Sequence, residues 1–295
     1  RTVAGWLGMG EAALRLVPSG DDNALEINAL QEVLKRAVRE NRRIACIVAT
    51  VGTTDAFGLD PLEEIVEVRD RLVADARLDY TPHVHADAAI GWAWSVFNGY
   101  DFDANPLGFA DATARALATA ADATNRLHLA DSIGVDFHKT GFAPYVSSLF
   151  IARDAAVLIR IGRDREAMPY LFHTGEYHPG VFTLETSRSG MGPFAALANL
   201  LLLGRTGLRV LIGHAVDSAV ALRELIVDEP ALEWLNSENV GPVTLFRAYP
   251  RDLATSDYIA RERTDATCRE TLLRVNEFNR AVYRRVYGEA LKGQG

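Results

Sequence analysis

The sequence predicts an α/β fold with a mostly parallel sheet, followed by a smaller α+β unit. Three observations predict it. Short apolar, β-branched runs alternate with amphipathic helical stretches, the rhythm of βαβ units. The chain has 295 residues, 48% hydrophobic and 24% charged, enough for one large α/β unit with an appendage. After residue 228 the pattern changes to one fresh strand and an arginine-rich amphipathic stretch.

The elements follow in order. The N-terminal stretch RTVAGWLGMGEAALRLVP reads as the end of a helix, a Gly-Met-Gly turn and a strand. Asn28 is placed to cap the helix ALQEVLKRAVREN. IACIVATVG (44–52) is a buried strand and GTTDAFGLD a loop. Asp60 caps the next helix, with Pro61 at its first position. HVHADAA (83–89), SIGVDF (132–137) and SSLFIAR (147–153) are three more strands. Residues 101–130, rich in Ala, Thr and Asp, read as an inserted helix and loop. A long apolar helical stretch after Arg188 links to GPVTLFRAYP (241–250), a strand, and then to the helical pattern 257–291. The expected division is 1–190, a linking helix over 191–228, and a small unit over 229–295.

Composition narrows the function. With 31 Lys+Arg against 39 Asp+Glu, the net charge is −8, which argues against a nucleic-acid or membrane-surface binder. No apolar run approaches ~18 residues, so no membrane span is expected. Cys46 and Cys268 are far apart and form no CxxC pair, which suits a reducing cytoplasm. The chain starts without Met or a signal-peptide pattern and stops just after a helical one, so a fragment of a longer protein is expected.

Three groups of residues can carry chemistry. His83, His85 and Asp87 alternate, so they share one face of a strand. That face suits a metal site, completed by His138, His173 or His178, or a non-metal cofactor, or histidines hydrogen-bonded in the core. Asp87 precedes small residues, which leave room for a flat ligand, and a buried carboxylate needs a partner such as a protonated pyridine nitrogen. Its plainer reading is a helix cap. The third is Lys139, one of only three lysines with Lys35 and Lys292, in a stretch almost free of other charge. A desolvated lysine loses its proton readily and its neutral amine attacks carbonyls. Otherwise it is a surface lysine on a loop.

HADAAIGW followed by DSIGVDFHKTGFAPYVSSLF resembles the group II pyridoxal-phosphate-dependent amino-acid decarboxylases. VATVGTTDAFGLDPLEEI and FTLETSRSG resemble further segments of that family, in the same order. The resemblance implies a fold-type-I architecture, pyridoxal 5′-phosphate as cofactor, an L-amino-acid substrate and a homodimer. It matches Lys139 to the lysine that carries the cofactor as a Schiff base, and Asp87 to the acid facing its ring nitrogen. Ala89 matches the small residue against the ring. Thr54 matches the threonine near the ring oxygen, and His138 the histidine before the lysine. His85 stands in the His-x-Asp motif and Arg188 in the Ser-Arg motif. A loop tyrosine implied as proton donor falls to Tyr170 or Tyr177, with Tyr177 preferred. The family's phosphate-binding and ring-stacking residues lie upstream of the matching region. The 52 positions between Asp87 and Lys139 are long for the family. Alternatives are a carbon–carbon lyase acting on a phosphorylated amino alcohol, a metal hydrolase using His83, His85 and Asp87, and a non-catalytic dimer partner.

Overall fold

The computed structural model describes residues 2–164, 166, 179–183, 189–262 and 264–293. In chain order the elements are α1 (Thr2–Trp6), α2 (Ile27–Arg39), β1 (Cys46–Thr50), α3 (Leu62–Ala76), β2 (His83–Asp87), α4 (Asp111–Asn125), β3 (Ser132–Asp136), β4 (Ser148–Ala152), α5 (Ala155–Ile161), α6 (Met191–Val227), β5 (Leu232–Trp234), β6 (Phe246–Ala248), α7 (Ser256–Arg261) and α8 (Arg269–Leu291). Strands β1 to β4 form one sheet in that order. The pairs β1–β2 and β2–β3 are parallel, and β4 closes the edge antiparallel to β3.

Strand alternation gives the sheet two different faces. Ile47, Ala49, Val84 and Ala86 point to one side, where Leu30 and Leu34 of α2 and Ile65 and Val68 of α3 cover them. Each large apolar side chain buried there contributes about 1.5–3 kcal/mol. Arg69 of α3 is buried and pairs with Asp131 at 2.9 Å, while Asp131 also accepts the Val84 amide at 2.8 Å. That contact fixes the entry to β3 against β2. The other face carries Cys46, Val48 and Thr50 from β1, His83, His85 and Asp87 from β2, and Ser132, Gly134 and Asp136 from β3. Val48 is exposed there, and the candidate residues His83, His85 and Asp87 lie on this open side.

The stretch 101–130 contains a helix, as its pattern predicts. Parallel neighbours cannot be joined by a hairpin, so β2 and β3 need a crossover, and α4 supplies it. Its buried Ala116, Leu117 and Ala120 pack with Trp94, Phe97, Ile212 and Val216 in a second core. Thr113 donates to Asp217 at 2.8 Å and ties α4 to α6. The turn after β2 approaches the backbone closely: a Cβ on Gly91 would lie 2.2 Å from the Val51 carbonyl oxygen. Gly91→Ala is expected to destabilise the chain by about 1–3 kcal/mol through overpacking. A urea midpoint unchanged from wild type would contradict this.

Several helix boundaries differ from the sequence reading. Helix α2 starts at Ile27, so Asn28 lies inside its first turn. An isolated bridge between Ser19 and Leu25 brings the chain in extended and sets that start. The same bridge is all that forms of the strand expected near residue 18, and a 3-10 turn at Glu11–Ala13 precedes it. Asp60 does not cap α3. Its carboxylate accepts the Thr50 amide at 2.6 Å and the Leu25 amide at 2.7 Å, and Pro61 takes the cap position.

Helix α6 contains an 18-residue window of mean hydropathy 1.5, long and apolar enough to cross a membrane by length and composition. This corrects the expectation of no such run. Gly204 interrupts the helix with φ 58°, and beyond it Leu208, Ile212 and Val216 are buried, the last two in the second core. Strands β5 and β6 pair antiparallel as a separate two-stranded sheet. Asn279 of α8 accepts the Ala248 amide at 2.9 Å and donates to its carbonyl at 2.7 Å, satisfying the edge of β6. The pattern over 257–291 is two helices, α7 and α8, with a capped 3-10 turn at Ala266–Cys268 between them.

Candidate active site

Asp87 ends β2 on the open face, opposite Thr50 of β1 and Gly134 of β3. Its Oδ1 accepts the Ala89 amide at 3.2 Å. The residue is exposed, which corrects the expectation of a buried carboxylate. Nor is it a helix cap, since Ile90 precedes the 3-10 turn Gly91–Phe97. Ala88 is buried and Ala89 half-buried beside it.

Lys139 lies in the turn that leaves the neighbouring strand β3. Its amine is 3.2 Å from Asp136 Oδ2 and its side chain is 32% exposed. The lysine is therefore ion-paired at the rim and not desolvated among apolar groups, as its flanks had suggested. His138 Nε2 is 3.5 Å from the same oxygen, and the Ser148 hydroxyl donates to Asp136 Oδ1 at 2.5 Å. The Ser147 backbone brackets His138 Nδ1, with its amide nitrogen at 3.2 Å and its carbonyl oxygen at 3.0 Å. Tyr145 covers the ring at 4.1 Å.

Burial alone would raise the Asp136 pKa. The hydrogen bonds from Ser148 and Lys139, with the charges of Lys139 and His138, outweigh it and hold the carboxyl below its ordinary range. A depressed folded-state pKa gives stability that is present above the unfolded value and lost as pH falls through the folded one. The stability difference between wild type and Asp136→Asn is therefore expected to be widest above about pH 5 and to shrink as pH falls below about 4. Urea midpoints across that range measure it, and a gap independent of pH would contradict it.

The two functional turns are bolted together. Trp92 Nε1 donates to the Asp136 carbonyl at 3.2 Å, and its ring meets Phe137 edge-on at 5.0 Å. The Thr140 hydroxyl donates to the Ile90 carbonyl at 2.7 Å. The segment after Asp87 thus carries the turn that holds Lys139. The Gly-Thr-Thr loop is closed on itself, with the Gly52 and Thr53 amides donating to the Gly58 carbonyl at 3.0 and 3.1 Å. The Thr53 hydroxyl accepts the Gly58 amide at 2.8 Å, while Thr54 is exposed.

His83 and His85 both turn to the hydroxyl of buried Ser132, at 2.7 and 2.8 Å. Among the described residues no three His, Cys, Asp or Glu side chains converge as a metal site. The metal reading of His83, His85 and Asp87 finds no support in this arrangement. Tyr170, His173, Tyr177, His178 and Arg188 lie outside the described residues. Sequence reasoning missed Asp136, Ser132, Trp92 and Thr140 as parts of the site. Alternation within Ser-Ile-Gly-Val-Asp puts Ser132 and Asp136 on one face, the same signal that found the His83, His85 and Asp87 set.

Comparison with known proteins identifies the family of the chain. A model of the pyridoxal-dependent decarboxylase conserved domain matches residues 3–248. The chain is 26% identical over 262 residues to an aspartate 1-decarboxylase of Aliivibrio fischeri, covering 89% of this chain and 42% of that protein. It is 27% identical over 250 residues to an L-2,4-diaminobutyrate decarboxylase of Acinetobacter baumannii, covering 83% and 42%. The chain thus spans less than half the length of these curated relatives. Among solved structures, mouse CSAD superimposes with a TM-score of 0.64 at 21% identity, over 88% of this chain and 49% of that one. The Oryza sativa TDC with PLP and tryptamine gives 0.65 at 18% identity, over 94% and 51%. These superpositions establish the shared fold.

Proposed function

Because the chain belongs to the pyridoxal-dependent decarboxylase family, we propose that it is the cofactor-bearing part of an L-amino-acid α-decarboxylase, releasing CO₂ and an amine. One observation carries this reading. A lysine amine and an available carboxylate sit at the carboxyl ends of two adjacent parallel strands, on the same open face.

The donor set fits pyridoxal phosphate. Lys139 would hold it through its amine and Asp87 through its ring nitrogen, with Ala89, Thr54, His85 and His138 around it. When bound, the cofactor supplies an electron sink for the charge left at Cα as CO₂ departs. The chain's own contribution is orientation and electrostatics. Asp136 aims the Lys139 amine and keeps its proton close. Trp92 and Thr140 fix the spacing between the Lys139 turn and the Asp87 turn. Tyr177 is the proposed proton donor to Cα.

The same reading includes a homodimer, supported by the exposed Phe142, Tyr145, Val146 and Phe194 around the Lys139 loop. It also includes a cytoplasmic setting, supported by two free thiols, Cys46 and Cys268. The relatives' names point to amino acids as the substrate class, and no observation favours the carbon–carbon lyase. A panel of L-amino acids with added pyridoxal phosphate, scored by CO₂ release, tests the proposal. Release from one or a few amino acids is expected. Cleavage of a phosphorylated amino alcohol without CO₂ release would overturn it.

A further inference from the structure

We propose that Ser132 and His83 are positioning residues that lock the His85 imidazole in its Nε2–H tautomer, through a hydrogen-bonded chain His83–Ser132–His85 across the open sheet face. The chain rests on two short contacts to one oxygen. Ser132 Oγ lies 2.7 Å from His83 Nε2 and 2.8 Å from His85 Nδ1. A hydroxyl carries one proton, so it donates to one ring nitrogen and accepts from the other. The two neutral rings therefore share a linked pair of tautomers: fixing one fixes the other.

The position of Asp87 decides between the two arrangements. Ser132 is the register partner of His85, and Gly134 is the register partner of Asp87. A Cβ on Gly134 would lie 3.4 Å from His85 Nε2, so that nitrogen reaches the level of Asp87 while Nδ1 stays with Ser132. A carboxylate at that level favours the proton on Nε2. Ser132 then donates to His85 Nδ1 and accepts from His83 Nε2–H. Phe150 of β4 lies against the His85 ring at 5.9 Å and 19°, which fixes the ring plane. Burial pushes the His85 pKa down and favours the neutral ring that the linked pair requires, against the opposing pull of the Asp87 carboxylate and of a hydrogen bond to the Ser132 backbone.

The consequence for catalysis rests on the decarboxylase reading: His85 presents an N–H donor at the row of Asp87 and helps keep that carboxylate ionised. The tautomer itself is a property of the chain without cofactor, so the two can fail separately. The test is long-range ¹H–¹⁵N NMR on ¹⁵N-histidine-labelled protein, with the His85 signals assigned by their loss in His85→Gln. Nε2 protonated and Nδ1 bare is the expected pattern. In Ser132→Ala the ratio of Nε2–H to Nδ1–H is expected to fall roughly fivefold, the effect of one hydrogen bond. Ser132→Thr, which keeps the hydroxyl, restores it. Should Ser132→Ala fail to fold, His83→Phe removes the far end of the chain and is expected to weaken the same bias. A wild-type His85 protonated on Nδ1, or a ratio unmoved by these variants, overturns the proposal. A locked tautomer in protein that takes up no pyridoxal phosphate would count against the decarboxylase reading alone.

Discussion

Lys139→Arg is expected to leave the fold standing and to remove turnover. Arginine keeps the positive charge that Asp136 meets at 3.2 Å, so the ion pair at the rim of β3 survives. A guanidinium is never deprotonated near neutral pH, so it offers no nucleophilic amine. The proposed role of Lys139 needs that amine. The free energy of unfolding in urea should shift by no more than about 0.5 kcal/mol, as for a partly exposed substitution. CO₂ release should fall by about 10³-fold or more, the scale seen when a covalent catalyst is removed. A variant retaining a tenth of wild-type turnover would contradict the assignment. Lys139→Ala is the poorer probe, because it also leaves Asp136 without its cation.

Asp87→Asn carries the second large effect. The amide is nearly isosteric and can still accept the Ala89 amide, which Asp87 accepts at 3.2 Å. What it lacks is charge. In the proposed role Asp87 would hold a proton on the cofactor's ring nitrogen, and a full charge there is worth several kcal/mol at short range in a partly solvated site. Turnover is expected to fall by roughly 10²–10³-fold, comparable with losing one preorganised electrostatic partner. The loss should appear in kcat more than in KM, because the interaction strengthens as charge develops. A raised KM with unchanged kcat would mean that Asp87 only binds.

Much of this candidate site is legible in the sequence, and for physical reasons. Period-two alternation placed His83, His85 and Asp87 on one face, and β2 bears it out. Lys139 stood out because lysine is rare in the chain. What stayed hidden depends on register and on long-range packing. Nothing local aligns His85 with Ser132, 47 positions later, yet that alignment decides what both histidines do. Asp136 was in plain view in β3, but only the turn brings its carboxylate back to Lys139. Asp60 resembled a helix cap because the pairing of Thr50 and Leu25 amides with it is a tertiary event. The role of helix α4 stayed hidden because its small residues carry a weak apolar signal, and only the parallel pairing of β2 and β3 makes it a crossover.

The central claim is that Lys139 is where the chain takes its cofactor, and the lysine count makes this easy to test. Only Lys35, Lys139 and Lys292 are present, and Lys35 sits on the exposed side of α2, 3.4 Å from Glu32. The chain is incubated with one equivalent of pyridoxal phosphate, reduced with borohydride and mapped by peptide mass spectrometry. The expected result is a single pyridoxyl group on the peptide carrying Lys139, absent from Lys139→Arg. Label on Lys35 and Lys292 with Lys139 unmodified, in folded protein, would contradict it.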